Sequence, residues 1–213
     1  MSSNAPSCSA WRLYVILDRA AAGTRDLATL AQAAIRGGAD VLQLRDKAAS
    51  GDALLRETQR LLPIARAAGV PLIVNDRPDI ALAAGADGVH LGQDDAPVAE
   101  ARLLLGPHRL IGKSTHSLEQ AVAADREPVD YLGLGPIFST PTKPDYGSVG
   151  LDLISRARST LTHPVVCIGG IETANLDSIL AAGGLRVAVV RAVCAAADPE
   201  AAARTLKRLL TRQ

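Results

Sequence analysis

The chain has 213 residues, 48% hydrophobic with only 2% aromatic, and its apolar content comes almost entirely from Ala, Val, Leu and Ile. That length suits one domain able to bury a core without disulfides or a structural metal. With 23 basic against 22 acidic residues the net charge is +1, which excludes a whole-molecule field for nucleic acid or an anionic membrane, and no apolar run approaches membrane-spanning length.

Residues 1–10 carry no periodic pattern and read as a disordered tail; 11–213 reads as a single domain. Short β-branched or Leu-rich runs predict strands at 13–17, 41–44, 72–74, 88–91, 110–112, 131–134, 165–168 and 187–190. Between them, helical spacing occupies stretches such as 26–36, 52–67, 97–105 and 176–182. Strict alternation implies a parallel sheet. A Gly-Ala-Asp or similar turn precedes every second strand: Gly38-Ala39-Asp40, Gly85-Ala86-Asp87, Val129-Asp130 and Gly183-Gly184-Leu185-Arg186. Glycine suits the left-handed position that ends a helix. The even-strand period is that of a closed (β/α)8 TIM barrel, with a doubly wound open sheet as the alternative.

The N-terminus has neither a basic n-region nor an apolar h-region. Cys8, Cys167 and Cys194 are widely separated and lack metal-ligand spacing, so a reduced, cytoplasmic setting is the simpler expectation. Cys167 and Cys194 read as buried packing residues.

After nearly every apolar run the chain turns polar, and in a β/α barrel those strand ends converge on the face that holds the active site. Along 41–47, the period of two puts Gln43 and Arg45 on the face of Val41, opposite Leu42 and Leu44. Gln43 then offers an amide, and Arg45 and Lys47 offer positive charge; the plain alternative is a solvated strand end with Arg45 paired to Asp46. Asn75 and Asp76 close the third strand, and Gly92-Gln93-Asp94-Asp95 follows the fourth. Two carboxylates plus water and phosphate oxygens are a usual way to hold Mg²⁺, so Asp76 and Asp95 are candidate ligands. Asp95 before Ala96-Pro97 is equally placed to cap a helix.

Ser114, Thr115 and His116 end the fifth strand, where hydroxyls and free amides can meet an anion, while Ser117 with Glu119 and Gln120 has the spacing of a helix cap. His90 and His116 have no carboxylate partner in sequence and read as positioning residues. The loop 135–144 holds Thr140, Thr142 and Lys143 among three prolines and has the length of a lid. Gly169-Gly170 after the seventh strand and Val190-Arg191 after the eighth complete a barrel phosphate site. No Ser/His/Asp or Cys/His nucleophile system is evident, and no lysine falls inside a predicted strand. Leaving-group stabilisation fits the ring better than covalent catalysis.

The segments YVILD, QLRDK, VNDRPDIALAAGADGVHLGQDD, GKSTHS, GPIFSTPTK and CIGGI, in this order between Leu13 and Ala195, resemble the thiamine phosphate synthase family. The resemblance implies a β/α barrel transferase that condenses a pyrimidine diphosphate with a thiazole phosphate and releases diphosphate. It implies a pyrimidine diphosphate site of Gln43, Arg45, Lys47, Asn75, Ser114 and Lys143, with one Mg²⁺ on Asp76 and Asp95. It further implies a thiazole phosphate site of Thr140, Pro141, Thr142, Gly170, Val190 and Arg191. Arg45, Lys47, Ser114 and Lys143 are then the groups expected to assist catalysis. Three positions depart from the family pattern: Arg191 stands where Ser is usual, Ser139 where Pro is usual, and Lys113 where an apolar residue is usual. A thiazole tautomerase of the same fold and a non-catalytic binder of thiamine intermediates are the alternatives. The expected partners are small molecules, with a homo-oligomer left open.

Overall fold

The computed structural model describes residues 8–139 and 147–212. Its strands are β1 (Leu13–Asp18), β2 (Val41–Arg45), β3 (Leu72–Asn75), β4 (Gly88–Leu91), β5 (Leu110–Thr115), β6 (Tyr131–Leu134), β7 (Val165–Ile168) and β8 (Val187–Val189). All pair in parallel and in sequence order, and β8 closes onto β1 with Leu13, Tyr14 and Val15 opposite Val187, Ala188 and Val189. That closure makes the molecule a (β/α)8 TIM barrel and excludes the open sheet.

The helices are α1 (Arg19–Ala22), α2 (Leu27–Arg36), α3 (Gly51–Ala67), α4 (Pro78–Ala84), α5 (Val98–Leu105), α6 (Leu118–Ala124), α7 (Asp152–Thr160), α8 (Leu176–Ala181), α9 (Arg191–Cys194) and α10 (Pro199–Leu210). Local chemistry sets their starts. The Asp26 and Ser50 side chains accept from the amides of Thr29 and Ala53, and Pro78 and Pro199 occupy first-turn positions that need no N–H donor. On α2, Leu27, Leu30, Ala31 and Ala34 form the buried stripe. None of the described helices is long and apolar enough to cross a membrane.

The pleat of the strands divides the core in two. Leu13, Val15, Leu17, Leu42, Leu44 and Val74 face outward and pack under the helices. Tyr14, Ile16, Val41, Ile73, Leu110, Tyr131, Val166 and Ala188 fill the barrel, and Trp11 and Cys8 join them. Trp11 meets Tyr14 and Tyr131 edge-on, with ring centroids 6.0 and 5.3 Å away. A Cβ on Gly112 would sit 2.2 Å from Cζ of Tyr131 and 2.5 Å from Nδ1 of His90, so glycine is what lets β5 pass these rings.

Residues 8–10 correct the expected tail. Cys8–Ala10 forms a 3-10 helix with Cys8 buried, and Arg186 holds it by donating to the Cys8 and Ser9 carbonyls at 3.1 and 2.6 Å. The apolar Trp11 plugging the barrel accounts for the order of the stretch just before it.

The Gly-Ala-Asp repeat has a tertiary purpose beyond turning the chain. Asp40 accepts from the Leu13 amide at 2.8 Å, Asp87 from the Leu72 amide at 2.8 Å, and Asp130 from the Ile111 amide at 2.7 Å. Each carboxylate before an even strand thereby pins the start of the preceding odd strand. At the fourth turn Arg186 replaces the acid, and its guanidinium turns to the 3-10 helix instead. The three cysteines are buried and unpaired; burial pushes their thiols up to about 12, 12 and 11 for Cys8, Cys167 and Cys194, in keeping with packing roles.

Candidate active site

The strand ends open onto a cavity of about 330 Å³ that brings together Gln43, Arg45, Asn75, Ser114, Gly170, Val190 and Arg191. Lys47, Asp76 and Asp95 stand beside this cavity and do not line it. Thr140, Pro141, Thr142 and Lys143 lie outside the described residues.

Arg45 ends β2 on the barrel side, and its partner is Asp18 at the end of β1. The expected alternative partner, Asp46, instead accepts from the amides of Ala48 and Ala49 and shapes the turn. Asp18 is 2% exposed and also accepts from the Ala21 amide at the start of α1. One carboxylate thus caps a helix and orients a guanidinium. Lys47 is half exposed and its ammonium reaches Asp76.

Asp76 is the one non-glycine among the described residues with a positive φ, +63°. Its amide donates to the His90 carbonyl at 2.8 Å, which fixes this costly backbone at the strand end. Its carboxylate lies close enough to that of Asp95 for each to perturb the other's ionisation. Burial first, and then Asp95, hold the Asp76 carboxyl above the usual range, against the pull of Lys47. Burial also opposes ionisation of Asp95, but Asp76, the Gly92 amide and the Lys47 and Lys113 cations together bring it below its usual value. Asp95 accepts from the Gly92 amide at 2.6 Å and does not cap α5, whose cap position is Pro97 without a side-chain bond. The helix-cap alternative for Asp95 is therefore removed. Two neighbouring carboxylates, each penalised by burial, are a donor set that suits a divalent cation completed by water or phosphate oxygens. Among the described residues no three His, Cys, Asp or Glu side chains gather around one point.

Lys113 lies inside β5, which runs three residues beyond its predicted end, and is buried. It corrects the expectation that no lysine sits within a strand. Its ammonium donates to the Gly92 carbonyl at 2.7 Å and so braces the loop that carries Asp95.

A polar chain crosses the barrel beneath the cavity. The Gln43 amide donates to the Tyr14 hydroxyl at 2.7 Å, Tyr14 and Tyr131 hydroxyls meet at 3.0 Å, Tyr131 meets His90 Nδ1 at 3.1 Å, and His90 Nε2 meets Ser114 Oγ at 2.8 Å. Sequence reasoning singled out Gln43, His90 and Ser114 but not the tyrosines, although two inward tyrosines in a chain with 2% aromatic residues were a usable signal. His116 Nδ1 contacts the Gly135 carbonyl, and Ser117 caps α6, accepting from the Gln120 amide at 3.2 Å. Thr115 donates to the Gly133 carbonyl at 2.9 Å.

Across the cavity, Gly169 and Gly170 take φ values of +101° and +62°. A Cβ on Gly170 would meet the Ser139 carbonyl oxygen at 2.7 Å, so the loop after β6 passes directly over this turn. Arg191 opens the four-residue α9 and is exposed. Glu172, which the sequence reading did not select, also lines the cavity.

Residues 13–193 match the family model described as thiamine monophosphate synthase. The chain is 50% identical over 195 residues to a thiamine-phosphate synthase of Roseiflexus castenholzii, covering 91% of this chain and 86% of that protein. It is likewise 50% identical over 202 residues to a thiamine-phosphate synthase of Chloroflexus aurantiacus, covering 94% and 93%. The solved structure of a thiamine phosphate pyrophosphorylase from Pyrococcus furiosus superposes with a TM-score of 0.87 at 34% identity, covering 94% of this chain and 95% of that one.

Proposed function

The chain belongs to the thiamine monophosphate synthase family and is a transferase, and on that premise we propose that it joins hydroxymethylpyrimidine diphosphate to hydroxyethylthiazole phosphate, or its carboxylated form, giving thiamine phosphate and diphosphate. In this reading the bond between the pyrimidine methylene and the diphosphate oxygen breaks first, with its electron pair leaving on diphosphate. The methylene cation is delocalised over the aminopyrimidine ring, and the thiazole nitrogen supplies the lone pair of the new C–N bond. No protein nucleophile is required.

The observation that carries the proposal is the neighbouring carboxylates of Asp76 and Asp95, set beside Lys47 and next along from Asn75 and Arg45 at one rim of the cavity. Mg²⁺ held by Asp76 and Asp95 would supply neutralisation of the departing diphosphate. Arg45, held in place by Asp18, and Lys47 contribute fixed positive charge to the same oxygens, and Asn75 contributes an amide. Gln43 and Ser114 face the ring of the pyrimidine. Gly170 and the backbone at Val190-Arg191 offer amides to the thiazole phosphate, with Arg191 adding a charge where the family pattern has a hydroxyl. The family resemblance adds Lys143 to the diphosphate site and Thr140, Pro141 and Thr142 to the thiazole phosphate site, and these four lie outside the described residues.

The test is direct. Purified protein is mixed with both substrates and Mg²⁺, with a chelator control, and thiamine phosphate and diphosphate are followed by mass. Equimolar products that depend on the cation support the reading; absence of thiamine phosphate with either Mg²⁺ or Mn²⁺ overturns it.

A further inference from the structure

The hydrogen-bonded chain through the barrel has a property that its separate links lack. Gln43, Tyr14, Tyr131, His90 and Ser114 are joined end to end, and the two ends, Gln43 and Ser114, line the cavity from β2 and β5. Burial pushes both phenols well above the usual tyrosine range, so each hydroxyl keeps one proton to donate. A neutral imidazole likewise has one N–H and one lone pair.

Such a chain has two consistent polarities. In the first, the Gln43 NH₂ donates to Tyr14, Tyr14 to Tyr131, Tyr131 to His90 Nδ1, and His90 Nε2–H to Ser114. The Gln43 carbonyl then remains as an acceptor, and the Ser114 hydroxyl keeps its proton for the cavity. In the second, every bond reverses: Ser114 donates into the ring, the imidazole takes its other tautomer, and Gln43 turns to present NH₂. An end that reverses alone leaves one of the two buried tyrosine hydroxyls accepting from both neighbours with its own proton unbonded, a cost that ties the two ends together.

We propose that Tyr14, Tyr131 and His90 are positioning residues that couple Gln43 and Ser114, so that the cavity always offers one acceptor and one donor and thereby selects a pyrimidine with an amino donor on one side and a ring-nitrogen acceptor across from it. This deepens the reading given above and rests on it. The 3H tautomer of a pyrimidine with a ring carbonyl in place of the amino group is mismatched in either polarity. If Gln43 turns to donate to that carbonyl, Ser114 loses the proton needed by the far ring nitrogen. Cutting the chain frees the ends to match that analogue independently.

The experiment compares binding of the amino and oxo pyrimidine diphosphates, in the presence of Mg²⁺, to wild type, Tyr131→Phe and Tyr14→Phe, alongside the coupling assay. Wild type is expected to prefer the amino compound by at least roughly tenfold, the scale of one unmatched buried polar group. Each phenylalanine variant keeps its ring packing but is expected to lose most of that preference through improved binding of the oxo compound, with the KM for thiazole phosphate unchanged. Two variants at different links guard against one failing to fold. If both retain the wild-type preference, or both weaken the two compounds equally, the residues are merely structural and the inference fails, while wild-type turnover leaves the functional reading standing. If wild type neither binds the amino compound nor forms thiamine phosphate, that reading falls and the inference with it.

Discussion

Removing Asp18 separates its two roles. Asp18→Ala deletes both the cap on α1 and the partner of Arg45, whereas Asp18→Asn retains an acceptor for the Ala21 amide and loses only the charge. A lost side-chain cap costs about 1 kcal/mol. Breaking a buried ion pair from one side costs about 3–5 kcal/mol when the remaining charge stays dry, and the Arg45 side chain, 17% exposed against 3% for Asp18, has some room to regain water. That regained hydration brings the cost below this range, to about 2–3 kcal/mol for Asp18→Asn, and the lost cap raises it to about 3–4 kcal/mol for Asp18→Ala. Urea unfolding of both variants measures the losses, and their difference isolates the cap. At temperatures where both are folded, a disoriented Arg45 should raise KM for the pyrimidine diphosphate about tenfold and leave KM for the thiazole phosphate unchanged, the scale of one weakened charge-assisted bond. Losses below about 0.5 kcal/mol in both variants, with unchanged KM values, would refute the dual role assigned to this carboxylate.

Three further variants test the structure. Asp76→Asn tolerates the left-handed backbone and should cut cation-dependent diphosphate release at least roughly a hundredfold. Because burial and Asp95 hold the Asp76 carboxyl above its usual range, ionising it penalises the native state, so metal-free Asp76→Asn should melt above wild type near neutral pH. That gap should close as pH falls through the raised pKa, and calorimetry over a pH series checks it. Asp40→Ala removes the acceptor shared by the Arg12 and Leu13 amides, both at 2.8 Å, along with the partner of Lys207. It should cost about 2–3 kcal/mol, or roughly 5–10 °C in Tm, with kcat unchanged at 25 °C because the clamp lies at the opposite end of the barrel from the site. At Asp125, burial opposes ionisation, but the amides of His163 and Thr162 and their side chains outweigh it and lower the carboxyl to about 2. Its contribution, about 2 kcal/mol, is present above pH ~4 and lost as pH falls toward ~2, so Asp125→Asn should differ from wild type at about pH 6 and converge with it in acid unfolding titrations.

Much of the site was legible because strand periodicity is local. Gln43 and Arg45 face the barrel with Val41, as alternation required, and the polar strand ends do surround one cavity. What pairs across strands was not legible. Arg45 bonds to Asp18, 27 residues earlier, and not to its neighbour Asp46. Asp76 and Asp95 were equally consistent with capping and with metal binding until the loop after β4 folded Asp95 back onto the Gly92 amide. Lys113 was misplaced because β5 extends past the apolar run that marked it, its last residues held by pairing with β6. The Tyr14–Tyr131 contact joins residues 117 apart, and no pattern along the chain announces such a meeting.

By itself, the order of residues determined the alternation of strand and helix, the fourfold turn repeat and the end of the barrel that carries polar groups. These depend on backbone preferences and on which face of a short segment is apolar, and both are properties of a few consecutive residues. Only the tertiary structure decided which carboxylate holds which cation, why an acid recurs before the even strands, and that a buried hydrogen-bonded chain ties Gln43 to Ser114. Those outcomes depend on distances between strands far apart in sequence, and burial makes each unpaired polar atom costly enough that closure of the barrel selects one set of partners.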